Sequence, residues 1–156
     1  QAGVGAVEID VDRIPTEGSA LLTATLARAA ELYDQGLTAV IFTSRVERTF
    51  ADQATRLAFG DQVSAFLMDV VRGLPRDLGF LISKGGITSN DVLSSGLALG
   101  ASRVLGQILP CCSVVRCPAD HPRYPDLPVV IFPGNVGDEE ALATVYGRLA
   151  GARPGH

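Results

Sequence analysis

Two glycine-containing segments hold the residues of this sequence that are best suited to bind a ligand. The first, "SKGGITSND", contains adjacent glycines, Gly85 and Gly86, directly behind the apolar run "LGFLI". Two hydroxyl side chains, Thr88 and Ser89, follow them. Glycine allows a backbone to turn its N–H groups outward and to approach a ligand closely. Because a predicted helix with free amides comes next, the chemistry that fits this loop is phosphate binding.

The second segment, "PGNVGDEE", follows the apolar run "LPVVIF" and precedes a helical pattern. Its acidic residues, Asp138, Glu139 and Glu140, are expected in the first turn of that helix. Acidic side chains there complement the helix dipole, and this interpretation is favoured over magnesium coordination. The sequence therefore predicts no metal held by protein side chains.

The first loop also has a purely structural explanation. A tight turn between a strand and a helix uses Gly-Gly for positive φ and Ser or Asn as an N-cap, with no ligand. Spacing alone favours this explanation, because the loop matches neither a Walker loop nor a dinucleotide fingerprint. Phosphate binding needs support from the rest of the sequence.

The cysteines and histidines favour a structural role over catalysis. Cys111, Cys112 and Cys117 are odd in number and lie in one apolar stretch, which is typical of reduced core thiols. A metal site with His121 is less favoured, because adjacent cysteines rarely point at one ion. A Ser/His/Asp or Cys/His hydrolase has little support, because no nucleophile-elbow sequence occurs.

Length and composition bound the possible functions. A chain of 156 residues with 47% hydrophobic residues fits one domain, which we expect over residues 1–150, with a disordered tail at 151–156. The net charge of -4 without a Lys/Arg cluster argues against nucleic acid as a partner. No apolar run approaches the roughly 20 residues of a membrane span. We expect a cytoplasmic protein that does not bind a membrane.

Predicted strands and helices alternate along most of the chain. The first strand is expected at Ala6–Val11, and the helix after it between a cap at Ser19 and an αL residue at Gly36. A short helix behind the first loop is expected to end at Gly100, and two antiparallel strands to follow around Pro110. This order predicts a three-layer α/β/α domain with a mostly parallel sheet and a short antiparallel addition. Both glycine loops then lie at the carboxyl ends of strands, where ligands bind.

Two longer stretches extend these motifs into a family resemblance. "LISKGGITSNDVLSSGLALGASRVLGQILP" and "DLPVVIFPGNVGDEEALATVYGRL" resemble the C-terminal nucleotide-binding domain of the four-carbon acid sugar kinases. The order of elements agrees across nearly the whole chain. The resemblance implies that ATP and magnesium are the cofactors. The positions that match the two loops of the family are Gly85, Gly86, Ile87, Thr88, Gly134 and Gly137. Together with the neighbouring Ser89 and Asn135, they are the candidate ATP-binding residues.

The sequence departs from the family pattern at three positions, of which Val136 in place of the usual aromatic residue is the mildest. Ile87 stands where the family usually has an acidic or polar residue, and Phe132 stands where its second loop usually has lysine. Replacing Phe132 with lysine is therefore expected to add a cation beside the second loop. Lys84 could compensate for the missing charge, although an exposed loop lysine is usually only solvated.

The resemblance implies a kinase that phosphorylates a small acid such as threonate, erythronate or an oxo-tetronate. A separate N-terminal domain holds the acid in that family, and the present chain begins at Gln1 without methionine. We expect half of a two-domain kinase, inactive alone, whose catalytic residues lie elsewhere. The alternative is a non-catalytic α/β module for ligand sensing or interaction. The sequence leaves open which acid is used and whether the protein is a homo-oligomer.

Overall fold

The computed structural model describes residues 3–45 and 48–151. The chain divides into two compact units, Gln1–Pro75 and Arg76–His156. The predicted tail at 151–156 lies outside the described residues, except for Gly151. The single domain expected over residues 1–150 stays a prediction.

The first unit alternates strands and helices. Its elements are β1 (Val4–Ile9), a short 3-10 turn (Val11–Arg13), α1 (Ile14–Asp34), β2 (Thr38–Thr43) and α2 (Gln53–Gly73). The two strands pair in parallel, with Val4 opposite Thr38 and Ile9 opposite Thr43. Helix α1 connects them and packs against both strands and against α2. This is the strand-helix-strand unit that the sequence predicts.

Alternating burial explains why the first segment forms a strand. Val7 and Ile9 are buried in β1 whereas Glu8 between them is exposed, as the alternation of apolar and acidic residues predicts. Helix α1 lies close above this strand. A Cβ atom on Gly5 would come within 2.3 Å of Leu32 Cδ2, so the approach requires glycine. The strand begins and ends two residues earlier than predicted.

The start of α1 differs from the sequence prediction. The helix begins at Ile14 instead of behind Ser19, with Pro15 in its first turn, where proline is tolerated because the amide there has no helical partner. Glu17 has a non-helical φ of -128°, which marks a kink. Ser19 lies inside the helix, and its carbonyl accepts a hydrogen bond from Thr23 Oγ1. The predicted cap at Ser19 is therefore wrong.

The end of α1 follows the prediction. Gly36 has a φ of +72°, and its N–H donates to the carbonyl of Tyr33. The N–H of Leu37 donates to the carbonyl of Leu32. These two bonds form a Schellman motif, in which a left-handed residue closes the helix and returns the chain toward β2.

The second unit contains a four-stranded sheet. Its elements are β3 (Leu81–Lys84), α3 (Gly86–Asp91), a π-helical turn (Val92–Gly96), β4 (Arg103–Leu109), β5 (Cys112–Arg116), β6 (Pro128–Phe132) and α4 (Ala141–Gly151). The strand order is β3-β6-β5-β4. Strands β3 and β6 are parallel, and β5 is antiparallel to both β4 and β6. The predicted α/β class and its antiparallel addition are confirmed, and the elements are compatible with a three-layer domain.

Helix α4 covers one face of this sheet. Val130 and Phe132 from β6 pack with Ala141 and Val145 from α4 and with Cys112 from β5. All five side chains are buried. The apolar spacing of "DEEALATVYGRL" correctly predicts a helix here, although the helix begins only at Ala141. The helical segment behind the first loop likewise ends at Gly96, four residues before the predicted end.

The three cysteines are free thiols, as predicted, but they do not share one environment. Cys112 and Cys117 are buried, whereas Cys111 is exposed in the turn between β4 and β5 with a φ of +64°. Burial raises the pKa of the Cys112 and Cys117 thiols, because it disfavours the thiolate. The core interpretation therefore holds for two cysteines and is wrong for Cys111.

None of the helices in the described ranges, 3–45 and 48–151, is long and apolar enough to cross a membrane.

We predict that replacing glycine with alanine lowers stability at position 36 and raises it at position 60. Gly36→Ala should destabilise the protein by about 1 to 2 kcal/mol, because alanine is strained at positive φ although nothing lies near its Cβ. Gly60→Ala, at an open position inside α2, should stabilise it by about 0.5 to 1 kcal/mol. Urea unfolding measures both variants. A neutral Gly36→Ala would contradict the Schellman assignment.

We also predict that the three thiols react at different rates. Iodoacetamide at pH 8 should alkylate Cys111 quickly in the folded protein, since it is exposed. Cys112 and Cys117 should react only after unfolding in urea, because they are buried and the thiolate is the reactive form. Mass spectrometry of peptides from both conditions measures this. The Cys111→Ser variant should show almost no alkylation while folded, and rapid alkylation of that variant would contradict the assigned burial.

Candidate functional site

The two glycine loops lie at the same edge of the sheet in the second unit. They follow β3 and β6, which are adjacent and parallel, with Lys84 opposite Phe132 at their carboxyl ends. The expectation that both loops meet at one sheet edge is therefore confirmed. The carboxyl edge of parallel strands is where α/β folds bind ligands.

The backbone of the first loop lies close to the end of β6 and to the start of the second loop. The N–H of Gly85 donates to the carbonyl of Phe132 at 2.8 Å, which adds one bond beyond the last strand pair. A Cβ atom on Gly134 would lie 3.7 Å from the Cα of Gly85. The first loop therefore lies directly beside the end of β6 and the start of the second loop.

The first loop exposes the start of α3. Gly85 precedes the helix with a φ of +115° and a ψ of 137°, a conformation that other residues rarely adopt. Gly86 begins the helix and is exposed, Ile87 is 81% exposed, and Thr88 is half-buried. The first amides of a helix have no intrahelical acceptor. Helix α3 is only six residues long, so its dipole adds little.

Ser89 differs from the other predicted site residues because it lies beneath the loop. It is 1% exposed, and its hydroxyl donates to the carbonyl of Ser83 at 2.9 Å. Its N–H donates to the carbonyl of Gly85. A hydroxyl held in this way stabilises the loop and is not free to contact a ligand. The sequence could not distinguish it from the more exposed Thr88.

The second loop combines exposed and tightly packed residues. Gly134 and Asn135 are exposed, and Val136 packs against the core under α4. Gly137 has a φ of +81°, and a Cβ atom on it would come within 2.4 Å of Ala141 Cβ. This glycine is therefore required for the turn into α4.

The acidic residues of the second loop precede α4 instead of forming its first turn. Asp138 Oδ1 accepts a hydrogen bond from the N–H of Glu140, and its carbonyl accepts one from the N–H of Ala141. Glu139 is exposed in the same turn. The predicted position in the first helical turn is wrong, because Gly137 and the Asp138 turn delay the start of the helix.

Phe132 is a core residue and not an open loop position. It is 1% exposed and packs under α4 with Ala141 and Val145. A lysine there would put a charge into an apolar cluster, which is strongly unfavourable. Phe132→Lys was expected to add a cation beside the loop. That expectation is wrong, because position 132 lies in the core.

A cation already lies next to Phe132. The ammonium of Lys84 is 5.4 Å from the centroid of the Phe132 ring, and it donates to the carbonyl of Gly134 at 3.3 Å. The sequence suggested Lys84 as a source of charge but favoured a solvated side chain. Its contact with the second loop depends on the pairing of β3 with β6, which a local pattern does not reveal.

The side chain of His121 has a structural role. Its Nδ1 accepts hydrogen bonds from the N–H groups of Arg123 and Tyr124. The remaining ring hydrogen must then be on Nε2, which lies 2.7 Å from the carbonyl of Leu97. Within residues 3–45 and 48–151, no group of three or more His, Cys, Asp or Glu side chains could hold a metal.

The first unit has a charged cluster that the sequence did not predict. Arg48 donates to Asp12 at 3.0 Å, and its guanidinium lies 4.4 Å from the centroid of the Phe59 ring. The sequence indicated only a polar connection between β2 and α2. This cluster is an ion pair with a cation–π contact, and nothing in the structure assigns it a ligand.

A family model described as "Nucleotide-binding C-terminal domain" matches residues 1–142. The chain belongs to this family. No curated protein matches the sequence. The predicted resemblance to the nucleotide-binding domain of four-carbon acid sugar kinases is confirmed at the level of the family.

Two crystal structures of one Bordetella bronchiseptica protein share the fold of this nucleotide-binding domain. Both are described as a domain of unknown function with bound citrate, in a domain-swapped dimer. The first has a TM-score of 0.65 at 14% identity and covers 96% of this chain and 35% of that protein. The second has a TM-score of 0.58 at 13% identity and covers 96% and 34%. The chain thus spans about a third of the length of the Bordetella protein.

We predict that the two loops differ in their tolerance of a side chain. Gly137→Ala should destabilise the domain by about 2 to 4 kcal/mol, because it combines positive φ with a clash against Ala141. Gly86→Ala should change stability by less than about 0.5 kcal/mol, since nothing lies near its Cβ. Urea unfolding of both variants measures this. Equal stability of the two would contradict the geometry of the second loop.

Proposed function

We propose that this domain is the ATP-binding part of a kinase that phosphorylates a four-carbon sugar acid. One observation carries the proposal. Two neighbouring glycine loops lie at the carboxyl ends of adjacent parallel strands, with the N–H of Gly85 bonded to the Phe132 carbonyl, in a chain that belongs to a nucleotide-binding family. Parallel strands bring such loops together where anionic ligands can reach exposed main-chain amides.

The loops would hold the phosphates mainly through backbone donors. The amides of Gly86, Ile87 and Thr88 are at the start of α3, where intrahelical acceptors are lacking. The Thr88 hydroxyl adds a side-chain donor, and Gly85 permits the close approach. Ser89 supports this loop from beneath through its bond to the Ser83 carbonyl.

The second loop would face the same phosphates from the neighbouring strand. Gly134 and Asn135 are exposed, so their amides and the Asn135 side-chain amide can reach a ligand. Gly137 would act indirectly, by allowing the turn that sets the loop against α4. In this proposal, magnesium would accompany ATP and lower the negative charge of its phosphates. We assign no protein ligand to it.

The acceptor would be held by a separate domain, as the family resemblance implies. Phosphoryl transfer depends on positioning and charge stabilisation, and this part would position the donor. The citrate bound to the Bordetella protein is a small hydroxy acid, which supports an acceptor of that chemical class. The domain-swapped dimer of that protein supports a homo-oligomer here.

Magnesium-ATP should raise the melting temperature of the chain. A ligand at about ten times its Kd stabilises the native state by about 1.4 kcal/mol, or about 3 to 5 °C for a domain of this size. Gly86→Val should abolish most of the rise, because its side chain blocks the approach of phosphate to an otherwise open position. Differential scanning fluorimetry measures both.

The matched control is Gly60→Val, which makes the same change at an open helical position in the first unit. It should keep the full ATP-dependent rise. No rise in the parent chain at millimolar magnesium-ATP would contradict the proposal and favour the non-catalytic module. A full rise in Gly86→Val would show that the nucleotide binds elsewhere.

A further inference from the structure

Lys84 connects the two glycine loops through its side chain. It is the last residue of β3 and directly precedes Gly85. Its ammonium crosses to the neighbouring strand, where it donates to the carbonyl of Gly134 and lies above the ring of Phe132. The positive charge is thus located where the two loops meet.

The contacts of this ammonium hold it without neutralising it. A carbonyl oxygen and an aromatic face both attract a cation, but neither carries a formal charge. Among the ion pairs within the described ranges, 3–45 and 48–151, none involves Lys84. The turn that contains Asp138, Glu139 and Glu140 follows the same loop and forms no ion pair with it. An ammonium has three N–H donors, so two remain after the bond to Gly134.

The composition of the chain makes this lysine unusual. Of the 13 lysine and arginine residues, 12 are arginine and Lys84 is the one lysine. Four of these arginines, Arg13, Arg28, Arg48 and Arg72, form ion pairs in the first unit. A lysine differs from arginine in presenting a compact point charge with donors in several directions. Such a group can donate hydrogen bonds to several oxygens of one phosphate.

We propose that Lys84 binds the phosphate groups of a nucleoside triphosphate directly, and that Phe132 positions its ammonium between the two loops. This inference rests on the proposed function, because it places the ligand at the same loops. Phe132 can serve as a platform because its ring is fixed in the core under α4. The bond to Gly134 sets the ammonium beside the exposed amides of the second loop.

Calorimetric titration with magnesium-ATP compares the parent chain with Lys84→Gln and Arg103→Gln. Both variants lose one positive charge. Arg103 is the control because it is exposed on β4, at the opposite edge of the sheet from β3. Lys84→Gln should bind ATP about 10- to 100-fold more weakly, as expected for the loss of a charged hydrogen bond. Arg103→Gln should bind within about twofold of the parent, because a distant exposed charge is screened by salt.

Two further readouts separate ligand contact from a structural effect. The ATP affinity of the parent should fall as potassium chloride is raised, and that of Lys84→Gln should fall less, because one ionic contact is missing. Phe132→Leu removes the ring but keeps the core apolar. It should weaken ATP binding by about two- to fivefold, because the Lys84 ammonium loses its contact with the ring. The ATP affinity should still fall with potassium chloride as it does in the parent, because Lys84 remains.

Because lysine occurs once, an amine-reactive N-hydroxysuccinimide ester modifies a single side chain, and Nα-acetyl-lysine added to the same reaction serves as the reference. ATP at ten times its Kd should slow modification of Lys84 by about tenfold and leave the reference unchanged. Equal ATP affinity of the parent and Lys84→Gln, or no protection by ATP, would overturn the assignment of Lys84 and leave the nucleotide site standing. No binding of ATP by the parent would overturn both proposals.

Discussion

The parallel pairing of β3 with β6 determines both the core of the second unit and the meeting point of its loops. Side chains alternate along a strand, so a slip of one residue would turn Phe132 and Val130 away from α4. The burial of these side chains under α4 therefore sets the register. The same register places Lys84 opposite Phe132 and brings the N–H of Gly85 to the Phe132 carbonyl. The hydrophobic core and the candidate site thus depend on one alignment of two strands.

Phe132 shows how closely stability and the candidate site are connected. Its ring contributes to the core, and its Cζ lies 3.8 Å from the position that a Cβ atom on Gly137 would take. Its face also attracts the Lys84 ammonium. A charged residue at this position would disrupt the core, so a cation can reach this place only from the neighbouring strand. Lys84 at the end of β3 therefore supplies this positive charge, while Phe132 in β6 stays an apolar core residue.

Features that depend on a few consecutive residues were predictable from the sequence. The α/β order, the left-handed turn at Gly36 and the glycine loops follow from periodicity and from glycine's conformational freedom. The start of α1 was not predictable, because Pro15 is allowed in a first turn and the kink at Glu17 joins two helical segments. The burial of Ser89 and the reach of Lys84 depend on contacts between distant segments. Local patterns cannot specify those contacts, since they arise only when β3 lies beside β6.

The electrostatics of the loops bear on the form of nucleotide that the proposed site would accept. The main-chain amides are neutral donors, and the ammonium of Lys84, the residue before the first loop, donates to the Gly134 carbonyl of the second. The turn at Asp138–Glu140 adds negative charge after the second loop, which would oppose a fully ionised triphosphate in the proposed site. Magnesium bound to the phosphates would reduce that repulsion and leave the amides to form directional hydrogen bonds. The proposed site would hold its ligand by the geometry of the backbone more than by net charge. Its strictest requirement would then fall on Gly85 and Gly137, because their positive φ values favour glycine.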